Sequence, residues 1–141
     1  MENIGISLRE YLIKYSQVDR KFIDDFIAIQ SSTNDEYFPF VINLEVIVKW
    51  LNVNQKGEIK RTLIKSYTEN IDYIILLRPK AKQEKKHGGH NKETILVTVL
   101  AFKRICLKTK SKMSDQIVNY YLALESLLVE YQKYIIMELI K

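Results

Sequence analysis

The sequence predicts an α+β, mainly helical domain, and three observations carry that expectation. Apolar residues recur at helical spacing in six separate segments. Two short β-branched runs, 71–77 and 93–98, flank a polar stretch containing Gly88-Gly89, which reads as a hairpin. Only four glycines and two prolines interrupt 141 residues, so one domain without an internal linker is expected. Its predicted parts are amino-terminal helices in 1–36, a helix-turn-helix-like core with a basic hairpin wing in 37–112, and a long closing helix in 113–141.

The elements follow in order. Residues 7–15 form a short helix that Ser7 caps, with Glu10 three positions on as a capping box. Leu8, Tyr11, Leu12 and Tyr15 share one of its faces. Residues 18–30 form a second helix opened by Asp19, with Phe22, Ile23, Phe26, Ile27 and Gln30 at helical spacing. Ser31 to Asp35 is a loop, and Phe38 to Ile42 a brief extended segment. Asn43 caps a helix from Leu44 to Leu51 whose inward residues are Leu44, Ile47, Val48 and Leu51. After a tight connection, a helix from Lys56 to Tyr67 turns Ile59, Leu63, Ile64 and Tyr67 inward and Lys56, Lys60, Arg61 and Lys65 outward.

Ile71 to Leu77 and Glu93 to Thr98 are the hairpin strands, the second alternating around Ile95 and Val97. Val99 to Lys108 is a helix with Leu100, Phe102 (or Ala101), Ile105 and Cys106 inward. Ser114 and Asp115 open the last helix, which runs to about Ile140. Along it Ile117, Tyr121, Leu124, Leu128, Tyr131 and Ile135 step by four and three, the spacing of a coiled-coil seam and so of a homodimer interface.

Charge is concentrated. Residues 1–48 hold four Lys/Arg and eight Asp/Glu, residues 49–112 sixteen and five, and residues 113–141 two and four. The basic middle thus carries more than the whole net charge of +5, which points to a polyanion-facing surface. No apolar run approaches the roughly 18–20 residues that cross a bilayer. Residues 1–5 lack the pattern of a secretory signal, and the single cysteine, Cys106, cannot form an intrachain disulfide. An intracellular setting is expected, with nucleus and cytoplasm equally open.

The order helix, short turn, helix, basic hairpin is that of a winged helix-turn-helix, in which a helix enters a major groove and the wing reaches phosphates. The expected nucleic-acid ligands are Lys56, Lys60, Arg61 and Lys65 on the helix, and Arg78, Lys80, Lys82, Lys85, Lys86, His90, Asn91 and Lys92 in the loop. Arg61 is the expected base-edge contact, because guanidinium meets guanine bidentately. Other chemistries find too few residues. His87, His90 and Cys106 are too few for zinc, with Cys106 expected on a buried face. Two neighbouring histidines do not make a His-Asn-His nuclease. Asp24 and Asp25 are adjacent on a helix and point different ways, so they read as a solvated edge. No metal, cofactor, catalytic residue or small-molecule substrate is expected.

The string Gly88-Gly89-His90-Asn91-Lys92-Glu93-Thr94-Ile95-Leu96-Val97-Thr98 continues into Phe102-Lys103, Cys106-Leu107-Lys108 and Tyr120-Tyr121-Leu122. Upstream stand Trp50-Leu51, Lys60, Leu63 and Asn70-Ile71-Asp72-Tyr73. This pattern, over about residues 37–131, resembles the MSV-type domain of insect poxviruses, iridoviruses and other large DNA viruses. That family is more distantly similar to KilA-N, Bro-N and phage antirepressor amino-terminal domains. The resemblance implies a non-catalytic, duplex-DNA-binding viral module acting inside the infected cell. The nuclease-like domain of longer members is not carried over, and with the chain ending at Lys141 a short paralogue or a fragment is expected. The alternative from another class is a protein–protein interaction or homo-oligomerisation module without DNA binding.

Overall fold

The structure is a computed structural model that describes residues 5–32, 38–51, 56–77, 93–109 and 111–141. Among the described residues, six helices and a small antiparallel sheet pack around one core.

The first helix, α1 (Leu8–Tyr15), begins with the expected capping box. Glu10 N–H donates to Ser7 Oγ and Ser7 N–H to Glu10 Oε1, each at 3.1 Å. In α2 (Arg20–Ser31) the Asp19 carboxylate accepts from the N–H groups of Lys21 and Phe22. Both caps satisfy donors that a helix start leaves without partners. A two-residue strand, β1 (Ile42–Asn43), leads directly into α3 (Leu44–Leu51), and Asn43 Oδ1 accepts from Glu45 N–H at 2.8 Å. Then follow α4 (Lys56–Ser66), β2 (Tyr73–Leu77), β3 (Glu93–Val97), α5 (Val99–Thr109) and α6 (Lys112–Leu139). The sheet order is β1-β3-β2 and both pairings are antiparallel. In β3, Ile95 and Val97 face the core as their alternation requires.

Aromatic rings join the layers. Trp50 of α3 lies 4.6 Å from Phe22 and 5.3 Å from Phe102, and Phe102 lies 5.1 Å from Tyr121 (ring centroids). Trp50 Nε1–H donates to Asp25 Oδ2 at 2.9 Å, so α3 is tied to α2 by a polar bond at the edge of the core. At the other end, Tyr11 of α1 packs on Tyr131 and Tyr134 of α6.

Several expectations change. Ile64 of α4 and Leu100 of α5 are exposed, at 47% and 56%, while Trp50 and Ile29 are buried in their helices. Helical spacing leaves the edge of an apolar stripe undefined by a residue or two, and the neighbours choose the face. The strand begins at Tyr73, because residues 68–72 form a turn in which Asn70 adopts φ 71°. The last helix starts at Lys112, two residues earlier than Ser114. Ser111 is its cap, and Ser114 is the buried reciprocal partner three positions on.

The expected α6 seam divides. Ile117, Tyr121 and Leu124 are buried in the chain's own core, so these three are unavailable to a partner of the folded chain. The four-and-three spacing serves intramolecular packing as well as it serves a dimer. Leu128 is partly buried against the same core, Tyr131 packs on α1 with its ring 5.1 Å from Tyr11, and Ile135 is half-buried.

Candidate nucleic-acid interface

Leu63 and Tyr67 anchor the α4 region from below, at 0% and 8% exposure. With that face fixed, Arg61 and Lys65 stand exposed, four residues and so about one turn apart. Lys60 is different: its Nζ lies 2.6 Å from Glu93 Oε1. A cation engaged in this way is not free for a phosphate unless Glu93 releases it. The pair fastens α4 to the first residue of β3. Glu93 is paired with Leu77, so the described ends of β2 and β3 lie side by side, with Lys60 in contact with Glu93. The expected ligands Arg78, Lys80, Lys82, Lys85, Lys86, His90, Asn91 and Lys92 fall between those two positions, outside the described residues, as does the side chain of Lys56.

A cleft runs between α4 and α5. Its larger part, about 410 Å³, is lined by Glu58, Ile59, Thr62, Tyr67, Ile105 and Lys108. A smaller part, about 400 Å³, is lined by Ser66, Tyr67, Arg104, Leu107 and Lys108. Lys108 Nζ sits 5.4 Å from the Tyr67 ring centroid, within cation–π range. The Tyr67 hydroxyl is buried and has no hydrogen-bond partner among the described residues. Such an orphaned group costs about 1–3 kcal/mol. Burial raises the phenol above its ordinary pKa, Arg104 opposes this, and Asp72 and Cys106 add to it. The phenol is therefore a proton donor at neutral pH. Arg104 Nη1 lies 3.9 Å from Asp72 Oδ1, too far for a hydrogen bond. Arg104 and Lys108 lie in the basic middle of the sequence, but the apolar spacing of α5 marks only its inward face and gives these two cations no assigned role.

The remaining polar groups have structural partners. Arg9 binds Asp24 through two hydrogen bonds of 2.7 and 3.3 Å, which holds the Asp24 carboxyl below its ordinary range. Asp25 instead receives the Trp50 indole. The two carboxylates thus diverge as expected: Asp24 lies on the exposed edge, paired with Arg9, whereas Asp25 is partly buried on the Trp50 indole. The Cys106 thiol is buried and pushed up to about 12, chiefly by desolvation and secondarily by Asp115. Among the described residues no three His, Cys, Asp or Glu side chains are grouped to hold a metal. His87 and His90 lie outside the described residues. No helix among the described residues is long and apolar enough to cross a membrane.

Residues 48–128 match the family model of the MSV199 domain, from the end of α3 through α4, the hairpin and α5 into α6. No curated protein and no solved structure matches the chain. The matched span takes in more than half of the 141 residues and holds Lys60, Arg61, Lys65, Arg104 and Lys108, and the chain belongs to the MSV199 domain family of large DNA viruses.

Proposed function

We propose that this viral chain is a non-catalytic nucleic-acid-binding module that works inside the infected cell and takes duplex DNA. Its interface joins α4 to the basic segment 78–92 in the manner of a winged helix-turn-helix. The observation that carries the reading is the Lys60–Glu93 contact of 2.6 Å. It fastens α4, with Arg61 and Lys65 exposed, to the end of the hairpin at which a segment with six Lys/Arg and one Glu joins the sheet. Arg61 and Lys65 thus belong to a helix that touches Glu93, the residue directly after the basic segment in the sequence. Clustered cations suit phosphate contact through counterion release.

The test is binding of the whole chain to a random-sequence duplex across a salt series. Six loop phosphate contacts correspond to a log–log slope of about −5, at ~0.9 per contact. Changing Lys80, Lys82, Lys85 and Lys86 to Ala flattens that slope, and Arg61→Ala with Lys65→Ala flattens it by up to about two contacts. Absence of binding at low salt overturns the reading.

Self-association through α6 is the second reading, favoured by residues other than the expected seam. Leu122, Val129 and Ile136 recur every seven residues and are 45%, 50% and 57% exposed. A second copy presenting the same stripe would cover them. Sedimentation at high concentration tests this, and a strict monomer ends it.

A further inference from the structure

We propose that the smaller cleft between α4 and α5 is a phosphoryl-binding site, with Arg104 and Lys108 as its charged ligands and the Tyr67 hydroxyl as its neutral donor. This extends the nucleic-acid reading to a helix it did not include, and it rests on that reading for its natural occupant.

Of the five side chains that line this cleft, two are cations, two carry hydroxyls and none is acidic. The donors come from two elements, so they converge from different directions. That arrangement suits a tetrahedral oxyanion, which offers several acceptor oxygens at once. The larger part of the cleft is a poorer anion site, because Glu58 lines it. Tyr67 is 92% buried on the 8% exposure of its residue, and its hydroxyl has no partner among the described residues. A ligand oxygen would supply the missing acceptor. The hydroxyl is covered in this conformation, so a ligand oxygen reaches it only when a lining side chain shifts, and Arg104 lines the same cleft. Its side chain is 53% exposed and stands 3.9 Å from Asp72, a contact loose enough to exchange. Asp72 is the competing anion, 3.9 Å from the guanidinium.

Two sources supply the same chemistry, the backbone of a nucleic acid and a free phosphomonoester. Amide chemical shifts of the whole chain separate them, followed during titration with inorganic phosphate, with adenosine monophosphate and with a short DNA duplex. Acetate at matched ionic strength is the control. Saturable shifts at residues 66–67 and 104–108 are expected with phosphate and absent with acetate. Arg104→Gln with Lys108→Gln weakens them by about tenfold or more, the scale of lost charge-assisted hydrogen bonds. Tyr67→Phe keeps the ring and weakens phosphate binding several-fold without lowering Tm, which a merely structural hydroxyl would not do.

A duplex that shifts the same residues, and binds more weakly to the double variant, identifies nucleic acid as the occupant. Phosphate and adenosine monophosphate binding without duplex binding supports the cleft and removes the nucleic-acid reading. Duplex binding with shifts confined to α4 and the hairpin, unchanged in the double variant, overturns the cleft and leaves that reading intact. Absence of saturable shifts with any of the three also overturns the cleft.

Discussion

Tyr131 donates its hydroxyl to the backbone carbonyl of Ile6 at 2.9 Å, across 125 positions of sequence. Ile6 N–H in turn donates to the Tyr134 hydroxyl at 3.3 Å. The approach needs Gly5, whose φ is +74° and whose place for a Cβ lies 1.8 Å from the Tyr134 hydroxyl oxygen. Gly5→Ala should cost about 1–2 kcal/mol for the left-handed backbone alone. Thermal denaturation checks this, and an unchanged Tm would show that the clasp adds nothing to stability.

The Asp25–Trp50 bond makes a sharper test. Asp25→Ala leaves the indole N–H of a buried tryptophan without its acceptor, at a cost of about 1–3 kcal/mol. Trp50→Phe also removes packing, so the double variant is needed. A coupling of about 0.5–3 kcal/mol in denaturant titrations marks a real interaction, and additivity marks an incidental one.

Two positions on α6 should behave oppositely. Leu124 is fully buried, so Leu124→Ala should cost about 2–5 kcal/mol whatever the protein concentration. Val129 is half exposed, and Val129→Asp should leave the stability of the single chain within about 0.5 kcal/mol. Any loss of mass in sedimentation caused by Val129→Asp, with the fold intact, assigns self-association to the outer stripe.

Stability should fall in alkali. The Cys106 thiol, ordinarily near 9.0, is raised to about 12, so the folded chain holds its proton more tightly than the unfolded chain does. Its contribution is fully present below pH 9.0 and is lost as pH rises toward about 12. The slope from one such group is at most about 1.4 kcal/mol per pH unit. Tyr67, Tyr73, Tyr121 and Tyr131 are raised in the same sense from 10.0 and extend the loss upward. Denaturant midpoints from pH 8 to 10.5 should flatten in Cys106→Ala between pH 9 and 10. An unchanged profile would mean that the thiol is not protected.

Glu93→Gln should release Lys60. If α4 meets DNA, the freed ammonium adds a phosphate contact, so affinity rises and the salt slope steepens by about 0.9. Stability should change by no more than about 1 kcal/mol, because both side chains are a third exposed. A flatter slope or weaker binding would indicate that the contact positions the hairpin and that Lys60 adds nothing directly.

Much of the fold was legible because its cues are local. Ser7 with Glu10, and Asp19 before Phe22, mark helix starts through hydrogen bonds within three residues. The alternation at Ile95 and Val97 fixed the buried face of β3. What failed to show was pairing at long range. Nothing near Lys60 in sequence announces Glu93, and nothing near Trp50 announces Asp25. The stripe of α6 was visible, yet periodicity does not tell whether α2, α3 and α5 or another chain will cover Tyr121. Arg104 and Lys108 went unnoticed for a similar reason: the cleft they border exists only once α4 and α5 are side by side.

Trp50 is the single tryptophan, and it is 8% exposed among the rings of Phe22, Phe102 and Tyr121. Those rings belong to α2, α5 and α6, so one indole reports optically on the joint between four helices. Its emission should redden only when α2, α3, α5 and α6 separate. The tyrosines near Ile6 lie at the opposite end of α6, where opening would leave that fluorescence unchanged. A fluorescence melt compared with a tyrosine absorbance melt would therefore distinguish fraying of the clasp from loss of the core.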